Sequence, residues 1–136
     1  MSDVIRVARG IIAQLLEGAR RTPDQECCGL LAGREGVITV GLSAHNAHAS
    51  LSTAYDIAPP ELFSLFREMR AQGLDHLGIY HSHPRGDNAP SATDIGRAYY
   101  PDAAYFIISP APDAPRPVRA FRIRDGRVSE LSIEEI

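Results

Sequence analysis

Residues 81–94 read HSHPRGDNAPSATD, and the rest of the chain is best understood from this stretch. It follows a short apolar run at residues 77–80, which is typical of a buried strand. Alternate side chains of an extended segment point to the same face, so His81 and His83 should project together from the end of that strand. The loop after them contains proline and glycine, which allows the chain to turn back and bring Asp94 to the same place. Two imidazoles and one carboxylate are the protein ligands of an open zinc site, in which water takes the fourth position.

Each half of this pattern also has an ordinary structural explanation. A single histidine at a strand end is usually a hydrogen-bonded structural residue. Ser91 followed three positions later by Asp94 is typical of a helix N-cap with an acid in the first turn. Neither explanation accounts for both halves within one short stretch, so we interpret the whole as a metal site.

The stretch resembles the JAMM motif of the MPN (Mov34/PAD-1) metalloprotease family. The shared features are His-Ser-His-Pro, ten residues between the second histidine and the aspartate, and a serine three positions before that aspartate. The family pattern has one further member, a glutamate far upstream on another strand. Residues 23–33 read PDQECCGLLAG, and Glu26 falls where the family has its catalytic glutamate. The spacing of the motif also favours Asp94 over Asp87, a competing carboxylate in the loop.

The resemblance implies metal-assisted hydrolysis of an amide bond and a role for each motif residue. Zn²⁺ would be held by neutral His81, neutral His83 and Asp94, and it would lower the pKa of a bound water. Glu26 would act as general base and later pass the proton to the leaving amine. Ser91 would donate a hydrogen bond to the oxyanion, although the same residue can cap its helix, and a Ser91→Ala variant separates the two roles.

Hydrophobic periodicity predicts an α/β (α+β) domain whose mixed, curved β-sheet is flanked by helices and has hairpins at both ends. The resemblance implies the MPN/JAMM (cytidine deaminase-like) architecture, a partly opened barrel-like sheet between helices, as a single domain over residues 1–136. The helices are predicted over residues 10–21, 59–73 and 91–100. Strands are predicted over residues 3–8, 27–33 (with a start at Glu26 possible), 37–40, 53–57, 75–82, 103–109, 119–124 and 128–133. Glycines at 29 and 33 indicate close backbone approach.

Composition excludes several classes of protein. The 136 residues carry a net charge of −3 without a basic block, so we expect neither nucleic acid nor an anionic membrane surface as a partner. No stretch reaches the roughly 18 apolar residues of a membrane span, and the first residues lack the pattern of a signal peptide. Cys27 and Cys28 are adjacent and cannot form an ordinary disulfide, which suits a cytoplasmic protein. We expect at least one of them to be buried, whereas a nucleophilic thiol has no support nearby.

Other polar residues receive weaker interpretations. His45 and His48 lie in a polar loop and suggest either a second metal site or solvated and capping roles, of which we favour the latter. Ser82 should point to the strand face opposite the two histidines, and we assign it no chemistry. His76 is expected to be exposed.

The family resemblance also implies a substrate. Enzymes with this motif cleave peptide or isopeptide bonds at the C-terminus of ubiquitin or ubiquitin-like proteins. The short segment after Asp94 leaves little room for the insertions that bind ubiquitin chains, and the sequence looks like the short prokaryotic members. We therefore expect the Gly-Gly tail of a ubiquitin-like sulfur-carrier protein as substrate, laid along a strand edge beside the site.

Two other functions stay open at this point. One is a non-catalytic MPN scaffold within a complex, which would be expected to lack part of the motif. The other is a different zinc hydrolase such as a deaminase, but the His-x-Glu and Pro-Cys-x-x-Cys pattern of that class is absent. The sequence leaves open the leaving group, the oligomeric state and the metal used in the cell.

Overall fold

The structure is a computed structural model that describes residues 3–85 and 87–136. Within these residues it has seven β-strands and three α-helices. The strands are β1 Val4–Val7, β2 Cys28–Arg34, β3 Val37–Ala44, β4 Asp75–Ser82, β5 Ala104–Ile108, β6 Val118–Arg124 and β7 Arg127–Glu135. The helices are α1 Ile11–Arg21, α2 Pro59–Ala71 and α3 Ala92–Gly96.

The strands form one mixed sheet in the order β1-β3-β2-β4-β5-β6-β7, which closes into a barrel. The β2–β3 and β6–β7 pairs are antiparallel hairpins, whereas β4 and β5 run parallel. The barrel closes because β1 pairs in parallel with β7, from Val4 opposite Ser132 to Val7 opposite Glu135. The predicted mixed sheet with terminal hairpins is confirmed, but the expectation of a partly opened barrel was wrong, because β1 pairs with β7 and closes the sheet.

Two apolar clusters occupy the two faces of the central strands. On one face, Leu31 of β2 packs in the cluster that includes Leu15 of α1. On the other, the neighbouring Leu30 packs in the cluster that includes Met69 of α2. Because successive side chains point to opposite faces, a strand covered on both sides must be apolar throughout. This explains why residues 28–33 are all buried and why the sequence there does not alternate.

Close backbone approach explains the two glycines of β2. A Cβ atom at Gly29 would lie 2.4 Å from the Leu42 carbonyl oxygen and 2.5 Å from the Tyr80 ring. At Gly33 it would lie 1.7 Å from the Val37 carbonyl oxygen. The expectation of close approach at both positions is confirmed.

Two predicted elements differ from the structure. Residues 53–57 are not part of the sheet: a turn runs to residue 53, and from 54 to 57 the polar backbone groups bond to side chains and a loop instead of a neighbouring strand. The third helix ends at Gly96 instead of residue 100, with Arg97 as its C-cap, and Pro101 disfavours a helical conformation at residue 100.

Smaller differences concern element ends and one histidine. Strand β2 begins at Cys28, so Glu26 precedes it, and β3 continues to Ala44. His76 is half-buried, with its ring edge-on to Phe66, and the expectation that it is exposed was wrong. None of the described helices is long and apolar enough to cross a membrane.

Candidate metal centre

The site forms where the start of β2 meets the end of β4. These strands are antiparallel neighbours with Cys28 opposite His81, so the residues just before β2 lie beside the residues just after β4. Continuing this register places Glu26 beside His83. The backbone supports this, since the Ser82 N–H donates to the Cys27 carbonyl at 3.0 Å.

Three side chains converge at this end of the barrel. The Nε2 atoms of His81 and His83 are 3.1 Å apart, and they lie 3.2 Å and 3.0 Å from the two carboxylate oxygens of Asp94. Donor atoms bound to one tetrahedral metal at roughly 2.0–2.1 Å would be about 3.3 Å apart. In the described part of the chain, these three residues are the one group of at least three potential ligands close enough to share a metal ion.

His83 is oriented by the loop that follows it. Its Nδ1 lies 2.8 Å from the Asp87 carbonyl oxygen, which can only accept, so Nδ1 must be the protonated nitrogen. Nε2 then either donates to Asp94 as part of an imidazolium or, once deprotonated, offers its lone pair to a metal. Burial lowers the pKa of His83, but the hydrogen bonds to Asp94 and to the Asp87 carbonyl, together with the negative charges of Asp94 and Glu26, outweigh burial and raise that pKa above its ordinary value.

Asp94 is positioned by the N-terminus of α3. The Ser91 hydroxyl accepts from the Asp94 N–H at 3.1 Å, and the Ser91 N–H donates to the Asp94 carboxylate at 2.9 Å, which completes a capping box. Burial alone would raise the pKa of Asp94. Hydrogen bonds from His81 and His83 outweigh burial and hold that pKa well below its usual range. The carboxylate is therefore ionised, as a metal ligand must be.

His81 lies deepest in the site, with 1% of its surface exposed. The ring of Tyr55 stacks on it, with 4.5 Å between centroids and 23° between planes. Its Nδ1 is buried and has no hydrogen-bond partner among the described residues. Burial lowers the pKa of His81, which favours the neutral imidazole that binds metals.

Glu26 is a buried carboxyl group without a local partner. It is 5% exposed, and its Oε1 has no hydrogen-bond partner in the described part of the chain. Burial raises the pKa of Glu26 to about 7; the charge of His83 acts in the opposite direction and that of Asp94 reinforces the rise. A group with such a pKa can both accept and release a proton near neutrality.

The structure thus brings His81, His83, Asp94 and Glu26 to one place, with Ser91 at the cap of α3. The side chains of the residues that we considered as alternative ligands make contacts elsewhere. The Asp87 carboxylate faces Arg119 at 3.4 Å. His45 contacts Glu61, and His48 accepts from the Ser50 N–H, in keeping with the solvated and capping roles that we favoured.

Sequence reasoning missed three residues of the site. Tyr55 covers His81, Ser82 bonds to the backbone on both sides of Glu26, and Asn46 bonds to the Glu26 carbonyl. Each contact joins segments far apart in the chain, so no local pattern indicated it. The one available signal was the position of Ser82 between the two histidines.

The two cysteines follow the structural interpretation. Both are free, Cys28 is buried and Cys27 is half-buried. Burial raises the pKa of Cys28 to about 12, and it also raises the pKa of Cys27. Neither environment favours a thiolate nucleophile.

These donors fit a metal ion. Two imidazole nitrogens and an ionised carboxylate converge with the spacing of a tetrahedral ion's ligands. A buried carboxyl group that titrates near neutrality lies beside them. Together they define the class of metal-dependent hydrolases that activate water.

Comparison with known proteins identifies the family within this class. The family model described as prokaryotic homologues of the JAB domain matches residues 8–124. A desampylase from Haloferax volcanii is 42% identical over 103 residues, which are 74% of this chain and 73% of that protein. A CysO-cysteine peptidase from Mycobacterium bovis is 32% identical over 134 residues, covering 98% and 92%. A probable TtuB-protein conjugate cleaving protease from Thermus thermophilus is 38% identical over 130 residues, covering 96% and 83%.

Solved structures agree on the fold. Protein DSY2949 from Desulfitobacterium hafniense superposes with a TM-score of 0.83 at 30% identity, over 98% of this chain and 93% of that one. A JAMM structure described as a metalloprotease-like zinc site superposes with a TM-score of 0.60 at 20% identity, over 96% and 97%. The chain belongs to the prokaryotic JAB-domain family, and it is a JAMM-type metalloprotease with the MPN architecture.

Proposed function

We propose that the chain is a single-domain, zinc-dependent peptidase or isopeptidase that hydrolyses the amide bond after the C-terminal Gly-Gly of a ubiquitin-like sulfur-carrier protein. The observation that carries the proposal is the position of Glu26 beside three converging donors, His81, His83 and Asp94. The names of the relatives support this substrate class, since they are a desampylase, a CysO-cysteine peptidase and a probable TtuB-protein conjugate cleaving protease.

In this mechanism the protein supplies the ligands and the proton transfer. Zinc, when bound by His81, His83 and Asp94, supplies Lewis-acid activation of water and of the scissile carbonyl. Glu26 accepts a proton from the attacking water and delivers it to the leaving amine. Its pKa of about 7 in the metal-free site is in the range that suits both steps, because a much stronger acid would be a poor base and a much weaker one would not release the proton.

Ser91 supplies the oxyanion contact in this proposal. Its hydroxyl oxygen accepts the Asp94 N–H in the capping box, and its hydrogen stays available for donation. The capping and catalytic roles are therefore compatible. The cap places the hydroxyl beside the ligand Asp94, where the carbonyl of a bound substrate would lie.

For the substrate tail to bind as an added strand, the site needs a nearby extended segment with one edge of its backbone free to form hydrogen bonds. The strands of the site, β2 and β4, are each paired on both sides, so neither offers one. Residues 54–57 do offer one. On one side of this segment, the Ala54 carbonyl and the Asp56 N–H bond to Asn46. On the other side, the Tyr55 carbonyl accepts from Arg97 at 3.3 Å, and the Tyr55 N–H has no partner among the described residues.

The groove beside this edge fits a Gly-Gly tail. It runs between residues 54–57 and α3, is lined by the apolar side chains of Leu30, Leu62 and Ile79, and reaches Asp94. An extended tail added to the Tyr55 side would run toward the metal, and two glycines would let its backbone approach closely. An apolar residue before them would face the groove.

A non-catalytic scaffold is the alternative function. A buried carboxyl group without a hydrogen-bond partner destabilises the fold. A scaffold without catalytic activity would gain nothing in return for this cost. Glu26 and all three potential ligands are present, and this favours the enzyme. The same residues also allow a test that separates the two functions.

The test measures the intact mass of a ubiquitin-like sulfur carrier that bears a C-terminal cysteine or a short peptide. After incubation with zinc-loaded protein, we expect loss of the extension after Gly-Gly. Chelator and the Glu26→Gln variant should both abolish the change. Glu17→Gln, which removes an exposed carboxylate paired with Arg21, is the matched control and should cleave normally.

An unchanged mass with one zinc bound per chain would contradict the peptidase proposal for that substrate. The same carrier joined to a lysine side chain then tests the isopeptide form. If neither bond is cleaved while the carrier still binds the protein, the scaffold is the better description.

We place the activity in the cytoplasm, and the two cysteines, which form no disulfide, are compatible with its reducing conditions. We expect neither nucleic acid nor a membrane surface as a partner, because the net charge is −3 and basic residues form no block.

A further inference from the structure

We propose that Ser82 and Asn46 are positioning residues that fix Glu26 relative to the metal centre by holding its backbone. The inference rests on the proposed function, in which Glu26 is the general base. The Oε1 atom of the Glu26 carboxyl group is buried and has no hydrogen-bond partner among the described residues. No hydrogen bond at this oxygen therefore orients the carboxyl group.

The backbone around Glu26 also lacks the support of a strand. Strand β2 begins only at Cys28, so residues 25–27 form no regular ladder. The Glu26 N–H donates to the Leu51 carbonyl at 2.7 Å, and the Cys27 carbonyl accepts from the Ser82 N–H at 3.0 Å. The remaining groups need other partners, because buried backbone groups are rarely left unpaired.

Ser82 provides two of those partners. Its hydroxyl oxygen accepts from the Cys27 N–H at 2.9 Å and donates to the Gln25 carbonyl at 3.3 Å. Ser82 is fully buried and lies between His81 and His83 in the chain. One hydroxyl group thus joins both neighbours of Glu26 to the strand that carries the two histidines. We assigned Ser82 no chemistry from the sequence, and the role proposed here is one of position, through its hydrogen bonds to residues 25 and 27.

Asn46 provides the last partner. Its side-chain NH₂ group donates to the Glu26 carbonyl at 3.0 Å and to the Ala54 carbonyl at 2.9 Å. Its Oδ1 accepts from the His48 and Asp56 N–H groups at 3.0 Å and 3.1 Å. The amide therefore has every hydrogen-bonding site used, which fixes its orientation. It joins Glu26 to the segment that holds Tyr55 against His81.

The two contacts predict a specific effect on catalysis. Ser82→Ala removes the bonds to residues 25 and 27 but leaves every proposed ligand in place. Asn46→Asp keeps the acceptor oxygen and removes the donor to the Glu26 carbonyl. A base that moves by about 1 Å can lose roughly 100-fold in rate, so we expect kcat to fall by about 10- to 100-fold with both variants.

The experiment compares zinc-loaded wild type with Ser82→Ala, Ser82→Thr, Asn46→Asp and Ser109→Ala. Zinc affinity is measured by competition with a chromophoric chelator, kcat and KM by cleavage of the carrier, and protection of the Cys27 amide by hydrogen exchange. We expect Ser82→Ala and Asn46→Asp to lose kcat with unchanged zinc affinity and KM. Ser82→Thr keeps the hydroxyl group and should retain activity. Ser109→Ala, which removes another buried serine hydroxyl near the end of β5, should behave as wild type.

The outcomes separate this inference from the proposed function. If wild type cleaves nothing, the proposed function fails, and exchange at Cys27 still tests the contact: loss of protection in Ser82→Ala supports the hold on residues 25–27. If the Cys27 amide is as protected in Ser82→Ala as in wild type, the inference that Ser82 holds residues 25–27 is wrong. If zinc affinity falls as much as kcat, Ser82 acts on the histidines, and the inference is wrong. An Asn46→Asp variant with wild-type kcat would show that Asn46 is not a positioning residue for Glu26.

Discussion

The two acids of the metal centre share one buried site but carry opposite pKa shifts. Asp94 accepts from two histidines and from the Ser91 N–H, and its pKa lies well below its usual range. Glu26 has no hydrogen-bond partner for Oε1, and burial raises its pKa to about 7. One acid is built to stay ionised and bind, and the other to exchange protons. Environment, not residue type, separates the two roles.

Asp94 and Glu26 also differ in which of their atoms make the hydrogen bonds that hold them. Asp94 is fixed through its own side chain, by the histidines and the capping box. Glu26 has no hydrogen bond at Oε1, and its position is fixed through its own backbone and the backbone on either side of it. A hydrogen bond to the carboxylate of Glu26 would lower its pKa and weaken it as a base. Hydrogen bonds to the backbone fix the position of Glu26 without lowering the pKa of its carboxyl group.

The largest expected effect comes from removing a ligand. His83→Ala should abolish both zinc binding and cleavage, because two remaining donors do not make a stable site. Zinc content after dialysis, measured by mass spectrometry, should fall from one ion per chain to nearly none. His48→Ala removes a histidine outside the site and should leave both properties intact. Full activity in His83→Ala would contradict the proposed ligand set.

Removing the base should separate binding from catalysis. Glu26→Gln is expected to keep one zinc per chain and to lose about 10²–10⁴-fold in kcat, the range of a general acid–base contribution. Zinc content and turnover measured on the same sample decide the matter. If zinc is lost together with activity, Glu26 belongs with the ligands and the contrast with Asp94 fails.

Glu26→Gln, which should lower kcat, is expected to raise the stability of the fold. The pKa of Glu26 is about 7 in the folded protein and 4.5 for an unperturbed glutamate, so the folded state binds the proton more tightly. Metal-free wild type should therefore lose stability as the pH rises from 4.5 to about 7, by up to about 3 kcal/mol. Glu26→Gln lacks this loss and should be the more stable protein at pH 8.

Urea unfolding with chelator, repeated from pH 4.5 to 8, measures this difference. The gap between wild type and Glu26→Gln should widen with pH and then level off. Glu17→Gln should run parallel to wild type throughout. A difference in the free energy of unfolding that stays constant with pH would mean that burial does not raise the pKa of Glu26.

The smallest expected effect on folding concerns the cap of α3. Ser91→Ala should cost about 0.5–2 kcal/mol of stability through loss of the cap. If Ser91 also serves the oxyanion, turnover of the still-folded variant should fall by about 10²–10³-fold. Ser91→Asn retains a capping oxygen and separates the two effects, because stability should recover without turnover. Wild-type turnover in Ser91→Ala would leave only the capping role.

The metal half of the site could be predicted from sequence because its residues are close together in the chain. His81 and His83 share a strand face, and Ser91 caps the helix that carries Asp94. Strand β4 begins and ends at the predicted residues, 75 and 82. These features depend on short-range periodicity and capping, which local sequence determines.

The base half could be predicted only in part. The position of Glu26 came from a resemblance, whereas its support by Ser82 crosses 55 positions of sequence. Residues 53–57 have the alternation of a strand, yet in the structure the Asn46 amide bonds to residues 54 and 56 in place of a neighbouring strand. Side chains that replace backbone partners leave no periodic signal, so neither contact was visible in the sequence.

The pairing of β1 with β7 has a consequence for how the chain folds. Val4 lies opposite Ser132, so the contact that closes the barrel joins residues from opposite ends of the chain. Closing so long a loop is entropically costly, and contacts of high sequence separation slow folding. During synthesis β1 emerges first and must wait for β7, the last strand. We expect barrel closure to be a late step, and a nascent chain that stalls before residue 127 to lack it.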